Sequence, residues 1–309
     1  MIVVAIARHP LLNHDHAGPA NVSLNPLVLS HQSSCTQGEE GVDAGGVARE
    51  WFLVMARQIF NPNYALFRPS STNSNVFQPN PLSKFCNADH LAFFEFVGRF
   101  IGKAIYDSHL IDAYFTRSFY KHILGVPPAF ADMESLDPAM HKSLQWMLEH
   151  SIEGVFDDQT FSVEVDQLGE LETVDLVPGG RHVLVTDANK AEYVRLVTEQ
   201  RMTNEIREQI DRFCKGFFEL IPRDLIAVFS EQEMELLICG LPEVDVDDMR
   251  AHAEYRGLNE HHTCVNWFWQ VVREFDREQR ALLLQFVTGT SRVPARGFAH
   301  LQVWWTSEA

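Results

Sequence analysis

With 309 residues, 46% of them apolar and 22% charged, the chain has globular composition and enough length for two domains or more. A formal charge of -17 opposes phosphate backbones and anionic lipid, so no nucleic-acid or membrane-surface role is expected, and no apolar run is long enough to span a bilayer. Five scattered cysteines, Cys35, Cys86, Cys214, Cys239 and Cys264, form no C-x-x-C pair, the pattern of a reduced intracellular protein, cytoplasmic and with a nuclear location also open.

Residues 1–7 are apolar but lack a charged leader, and Arg8 and Pro10 interrupt them, a poor fit to a signal peptide. Residues 1–37, rich in Asn, His, Pro and Ser, read as a disordered leader. Asn21-Val22-Ser23 fits a glycosylation acceptor only by a pattern common by chance. His14-Asp15-His16 has no third partner, so no metal is expected. After a turn at Gly41, with Asp43 near a helix start, Val47, Trp51, Val54, Met55 and Ile59 recur at helical spacing. Residues 61–81, full of Pro, Asn and Ser, read as a loop anchored by Tyr64, Phe67 and Phe77. Residues 89–110 predict an amphipathic helix burying Phe93, Phe94, Val97, Phe100, Ile101 and Ile105, an aromatic stripe that belongs to a core rather than a cofactor site.

Asp137-Pro138 opens a helix with Met140, Leu144, Met147 and Leu148, and Trp146 between them. Alternation follows. Phe161, Val163 and Val165 mark one strand, and residues 174–177 and 182–185 read as a hairpin around Pro178-Gly179-Gly180. Asp187 is expected to cap a helix bearing Tyr193, Val194 and Val197, which leads into another around Ile210, Phe213 and Phe217. Ser230 and Glu233 form a capping box for a helix with Met234, Leu237 and Ile238 on one stripe, ended by Gly240. Gly240, Leu241, Pro242 and Glu243 then read either as a hinge or as an ordinary interdomain loop, because proline fixes its own backbone and biases Leu241 to be extended.

Several blocks in order carry a resemblance: G-E-E-G-V-D-A-G-G-V at 38–47, V-G-R-F at 97–100, Y-F-T-R-S-F-Y-K at 114–121, E-L-L-I-C-G-L-P-E-V-D-V-D-D at 235–248, W-F-W-Q-V-V at 267–272 and L-L-Q-F-V-T-G-T-S-R-V-P at 283–294. Together they resemble the HECT ubiquitin ligases, particularly the large plant, fungal and animal members. The resemblance implies an α+β fold, a mainly helical bilobal domain: an N-lobe over 38–240 with a small α+β insert at about 129–203, a hinge at 241–245, an incomplete C-lobe over 246–302 and a divergent tail at 303–309. It also implies a thioester relay of ubiquitin from a ubiquitin-conjugating enzyme to a substrate lysine, with no cofactor and with unspecified protein substrates. The positions matching the groove for the conjugating enzyme are Met140, Leu144, Tyr193 and Val197, which would equally well pack the insert's own core.

The family needs a cysteine that is both nucleophile and leaving group, set in an H-T-C-F-N loop well beyond the V-T-G-T-S-R-V-P block. Here residues 287–294, Gly297, Phe298 and Leu301 still fit, residues 303–309 depart, and the loop is expected to be missing. That leaves an inactive transferase, a non-catalytic module that docks a conjugating enzyme, or a piece of a longer product. His262-Thr263-Cys264-Val265-Asn266 looks like the missing motif but runs into the W-F-W helix; no residue is assigned catalysis, and Cys264 is expected to be an incidental thiol. His261, His262 and Cys264 lack zinc spacing and a fourth ligand. Half a C-lobe would leave Phe268, Val271, Phe275, Leu282, Leu283 and Phe286 short of partner surface, so the segment after the hinge is expected to be loose.

Overall fold

A computed structural model describes residues 4–6, 46–71, 75–241, 243–255, 257–288 and 290–301. His14, His16, Asn21, Cys35, Asp43, Pro242 and the tail from 302 onward lie outside the described residues. In chain order the elements are β1 (Val4–Ile6), α1 (Gly46–Ile59), β2 (Phe67–Pro69), β3 (Val76–Pro79), α2 (Ser83–Cys86), α3 (His90–Tyr106), β4 (Tyr114–Phe115), α4 (Arg117–Leu124), α5 (Met133–Leu136), α6 (Pro138–Glu149), β5 (Ser162–Gln167), β6 (Glu170–Asp175), α7 (Lys190–Met202), α8 (Arg207–Phe218), α9 (Arg223–Ile226), α10 (Glu231–Cys239), α11 (Val246–Ala251), β7 (Ala253–Tyr255), α12 (Thr263–Glu274) and α13 (Arg277–Thr288). The fold is mixed α+β and mostly helical. The described residues form two compact units, one drawn from Met1–Arg57, Lys103–Asp112 and Glu235–Ala309, the other from Gln58–Gly102 and Ala113–Met234. The units divide the chain elsewhere than at residues 241–245.

In the second unit α3 crosses α8 at two glycines. A Cβ built at Gly98 would overlap the Phe213 carbonyl oxygen, and one at Gly216 the Glu95 carbonyl oxygen, so only glycine lets the two backbones come this close. Beside the crossing a chain of rings fills the core, with centroids 5.3 Å apart for Phe67–Phe94, 5.0 Å for Phe115–Phe119 and 4.9 Å for Phe119–Phe213. Of the expected α3 stripe, Phe94, Val97, Phe100 and Ile101 are buried, whereas Phe93 is exposed. The stretch 61–81 is not simply loop: β2 pairs antiparallel with β3, and β3 pairs in parallel with β4. Phe67 is buried as expected, but Tyr64 is exposed and anchors nothing. Strands this short, bounded by Pro and Asn, give no readable alternation.

The insert is built on α6, the β5–β6 hairpin and α7 around one core of Leu144, Met147, Ile152, Phe161, Val163, Val185, Tyr193, Val194 and Val197. The hairpin differs from the expected one. Val163 pairs with Val174 across a turn at Leu168-Gly169, both with positive φ (59° and 97°), while Leu184 returns only to a single bridge with Thr160. The Pro178-Gly179-Gly180 turn is real but connects to that bridge, not to a second long strand.

The first unit holds its own core, with Met249 on α11, Val265, Trp269 and Val272 on α12, Leu284 on α13, and Val293 and Phe298 beyond. Trp269 is fully buried and its Nε1–H donates to the Tyr255 hydroxyl at 2.8 Å. Residues 246–301 are therefore packed, against the expectation of a loose segment. That expectation holds only at the surface, where Val271, Leu282 and Phe286 are exposed, Phe286 by 90%. Val265, Trp269, Val272 and Leu284 supply the partner surface, and Phe268 and Leu283 pack partly buried against that core.

Candidate functional site

The insert presents the most developed face. Asp137 starts α6 by accepting the Met140 N–H at 3.0 Å, with Pro138 in the first turn, where its missing N–H costs nothing. Helical spacing then turns Leu144 and Met147 into the core and leaves Trp146 on the other side, 38% exposed. The Trp146 indole stacks on the His150 ring at 4.8 Å and 9°, and the Phe156 ring lies 6.0 Å away. His150 is fixed by donating Nδ1–H to the Trp146 carbonyl at 3.0 Å.

Asp187, itself exposed, bonds to the residues that follow His150. It was expected to cap α7, but that helix begins at Lys190, and the carboxylate instead accepts Ser151 Oγ–H at 2.6 Å, Ile152 N–H at 3.1 Å and Lys190 Nζ–H at 2.9 Å. The Ser151 hydroxyl, Lys190 and the Ile152 amide together hold its pKa down to about 2. Asp187 is thus charged throughout the physiological range and braces the segment leading from His150 to Phe156. Leu148, Val155, Val183 and Leu184 are further exposed apolar residues of the insert. Large apolar side chains exposed beside a hydrogen-bonded backbone segment fit a protein-docking face.

The four expected groove positions come together, but inside. Leu144, Tyr193 and Val197 are buried, with 5%, 6% and 0% exposure, and only Met140 is half-buried at the edge of the same core. Tyr193 meets Phe161 edge to face at 5.6 Å, and burial raises its phenol pKa. These residues set the insert's shape from within, the packing role left open by the sequence. Trp146 was legible only as the residue out of step with its helix's apolar stripe; Val155, Val183 and Leu184 gave no periodic signal.

Cys264 lies exposed in the first turn of α12. Its N–H donates to Nδ1 of His262, the N-cap, at 3.2 Å, which spends that ring nitrogen on the helix. The thiol has no hydrogen-bond partner among the described residues, and it lines neither of the two clefts described for the chain. Among the described residues no group of three or more His, Cys, Asp or Glu side chains could hold a metal.

The expected hinge is partly tied down. Gly240 ends α10 with φ 69°, its N–H bonded to the Leu236 carbonyl at 2.9 Å, and a Cβ there would meet Leu110 Cδ1 at 2.8 Å. Leu241 N–H donates to the Val293 carbonyl at 2.7 Å, and Glu243 is exposed. At the start of α10 the Ser230–Glu233 capping box is present, with Ser230 N–H to Glu233 Oε2 at 2.8 Å and Glu233 N–H to Ser230 Oγ at 3.3 Å.

A mostly helical α+β fold with a small β-containing insert defines the class, and comparison with known proteins gives the family. Residues 53–306 match the HECT domain, described as a ubiquitin-transferase domain. The chain is 53% identical over 266 residues to E3 ubiquitin-protein ligase TOM1-like of Neurospora crassa, covering 86% of this chain and 6% of that protein. It is 50% identical over 266 residues to E3 ubiquitin-protein ligase HUWE1 of Mus musculus, covering 86% of this chain and 6% of the relative. With E3 ubiquitin-protein ligase UPL1 of Arabidopsis thaliana the identity is 48% over 273 residues, covering 86% of this chain and 7% of the relative. The chain belongs to the HECT-domain family.

Proposed function

We propose that this chain acts in ubiquitin transfer by docking a charged ubiquitin-conjugating enzyme on the outer face of the insert, and that Cys264 does not carry the ubiquitin. The observation that supports docking is Trp146, a partly exposed indole stacked on His150, with the Phe156 ring near it, on a helix whose inner side packs into the core of Leu144 and Tyr193. An aromatic anchor with a prearranged backing loses little conformational entropy when a partner covers it, which suits a small, reversible protein interface. The chain-level roles follow from that. Ubiquitin would arrive bound to the conjugating enzyme, and the acceptor lysines would belong to substrate proteins.

The runner-up is a module that occupies conjugating enzymes without passing ubiquitin on. Cys264 favours it, because among the described residues its thiol has no hydrogen-bond partner to orient it and its neighbouring imidazole is engaged with the helix terminus.

Titrating a fluorescent conjugating enzyme with the wild-type chain and with Trp146→Ala tests the docking face. The truncation should weaken binding by about 1–3 kcal/mol, or roughly 5- to 150-fold. Tyr193→Ala is a poor probe, since it opens a cavity in the insert core and confounds folding with binding. Equal affinity of the wild-type and Trp146→Ala chains, both folded, would reject the face.

A further inference from the structure

The first unit contains a cleft of about 380 Å³, within the range of small-ligand sites. Its walls come from α1, the end of α3, the end of α10 and the stretch 290–301. Phe52, Leu53, Ile105, Leu236, Leu237 and Leu301 make most of it apolar. The charged groups at the cleft are few and biased in sign, although the chain carries a net charge of -17. Arg49 and Arg296 both line it, with His109 and His300. The one acid there, Asp107, is held by Lys103 at 2.6 Å.

The two arginines differ. Arg49 donates Nη1–H to the Thr288 carbonyl at 2.8 Å, which fixes its guanidinium at the cleft wall. Arg296 is exposed and makes no hydrogen bond or ion pair among the described residues. The His109 ring packs on Phe52 with centroids 4.5 Å apart, so the imidazole is set into the apolar wall rather than standing free of it.

We propose that this cleft binds a small monocarboxylate with an apolar tail. A guanidinium meets a carboxylate in the planar, two-pronged geometry that a single negative charge can satisfy. The leucine and phenylalanine walls would take the tail. Because the lining is drawn from four separate pieces of the unit, a bound ligand contacts all four at once and stabilises the unit by mass action.

The test is calorimetric titration of the full chain with octanoate, beside octanol as the uncharged analogue of equal tail length. Octanoate should bind saturably and raise the thermal midpoint, octanol should bind at least about tenfold more weakly, and Arg296→Gln should weaken octanoate about five- to tenfold. Leu53→Trp, which fills the cleft, should abolish the heat. Arg296 is exposed and makes no hydrogen bond or ion pair among the described residues, so its replacement should leave folding intact, and unfolding of the tryptophan variant would not remove the test. Equal binding of octanol and octanoate, indifference to Arg296→Gln, or no saturable heat at millimolar octanoate would each overturn the proposal. None of these readouts involves a conjugating enzyme, so the outcome is independent of the docking face.

Discussion

Gly216→Ala is expected to destabilise the second unit by about 3 kcal/mol, at the upper end of overpacking costs, and Gly98→Ala by a similar amount. The cause is the crossing of α3 and α8. The added methyl would strike the Glu95 carbonyl oxygen in one case and the Phe213 carbonyl oxygen in the other, and at Gly98 the Phe217 amide nitrogen also lies 2.8 Å from the new carbon. Main chain inside two hydrogen-bonded helices cannot rotate aside as a side chain can, so the helices must separate and the ring chain from Phe67 to Phe213 loosens with them. Ion pairs at the same crossing, Lys215–Glu95 at 3.0 Å and Arg99–Glu219, fix the helices' register but are partly exposed and contribute much less. Gly154→Ala is the control: its φ of 76° costs about 1–2 kcal/mol, but its Cβ would enter open space. Urea unfolding of the three variants measures the difference, and a Gly216→Ala cost no greater than that of Gly154→Ala would refute the close crossing.

The second large effect is expected at Trp269. Its removal should cost about 3–5 kcal/mol, because a fully buried indole leaves a cavity among Val265, Val272, Leu284 and Phe298 and strands the Tyr255 hydroxyl that accepted its N–H. Trp267, two residues earlier and 63% exposed, should change stability by no more than about 0.5 kcal/mol when replaced by alanine. Limited proteolysis separates the cases: α12 and α13 should resist in the wild type and in Trp267→Ala and be cut early in Trp269→Ala. Early cleavage of the wild-type chain within residues 263–288 would restore the reading of a loose C-terminal segment.

The contrast between those two tryptophans shows what the sequence could and could not disclose. Long helices with a wide apolar stripe, α3 and α8 above all, were readable from spacing alone, and so were local signals with their own chemistry, such as Asp137-Pro138 and the Ser230–Glu233 box. Features made by distant residues were not. The Gly98–Gly216 crossing joins helices more than a hundred residues apart, and nothing near either glycine marks it as a contact. Asp187 looked like a helix cap because caps are local, whereas its partners Ser151 and Ile152 lie far back in the chain. The short strands β2 and β3 hide among prolines and asparagines, β4 is only two residues long, and the β5–β6 turn hides because leucine, not asparagine or a second glycine, occupies its first positive-φ position. At the candidate site the positions matched through the resemblance, Leu144, Tyr193 and Val197, form the core of the insert; which side chains reach the surface is decided by packing that only the structure displays.

The most direct measurement is a single-turnover reaction of the chain with a conjugating enzyme already charged with ubiquitin, resolved on a non-reducing gel beside Cys264→Ser. The charged enzyme should associate with the chain through the Trp146 face while no reducible ubiquitin adduct forms on the chain, with the wild type and Cys264→Ser indistinguishable. A reducible adduct that appears rapidly on the wild-type chain and is lost in Cys264→Ser would contradict it, and would make the exposed thiol at the start of α12 the carrier of ubiquitin.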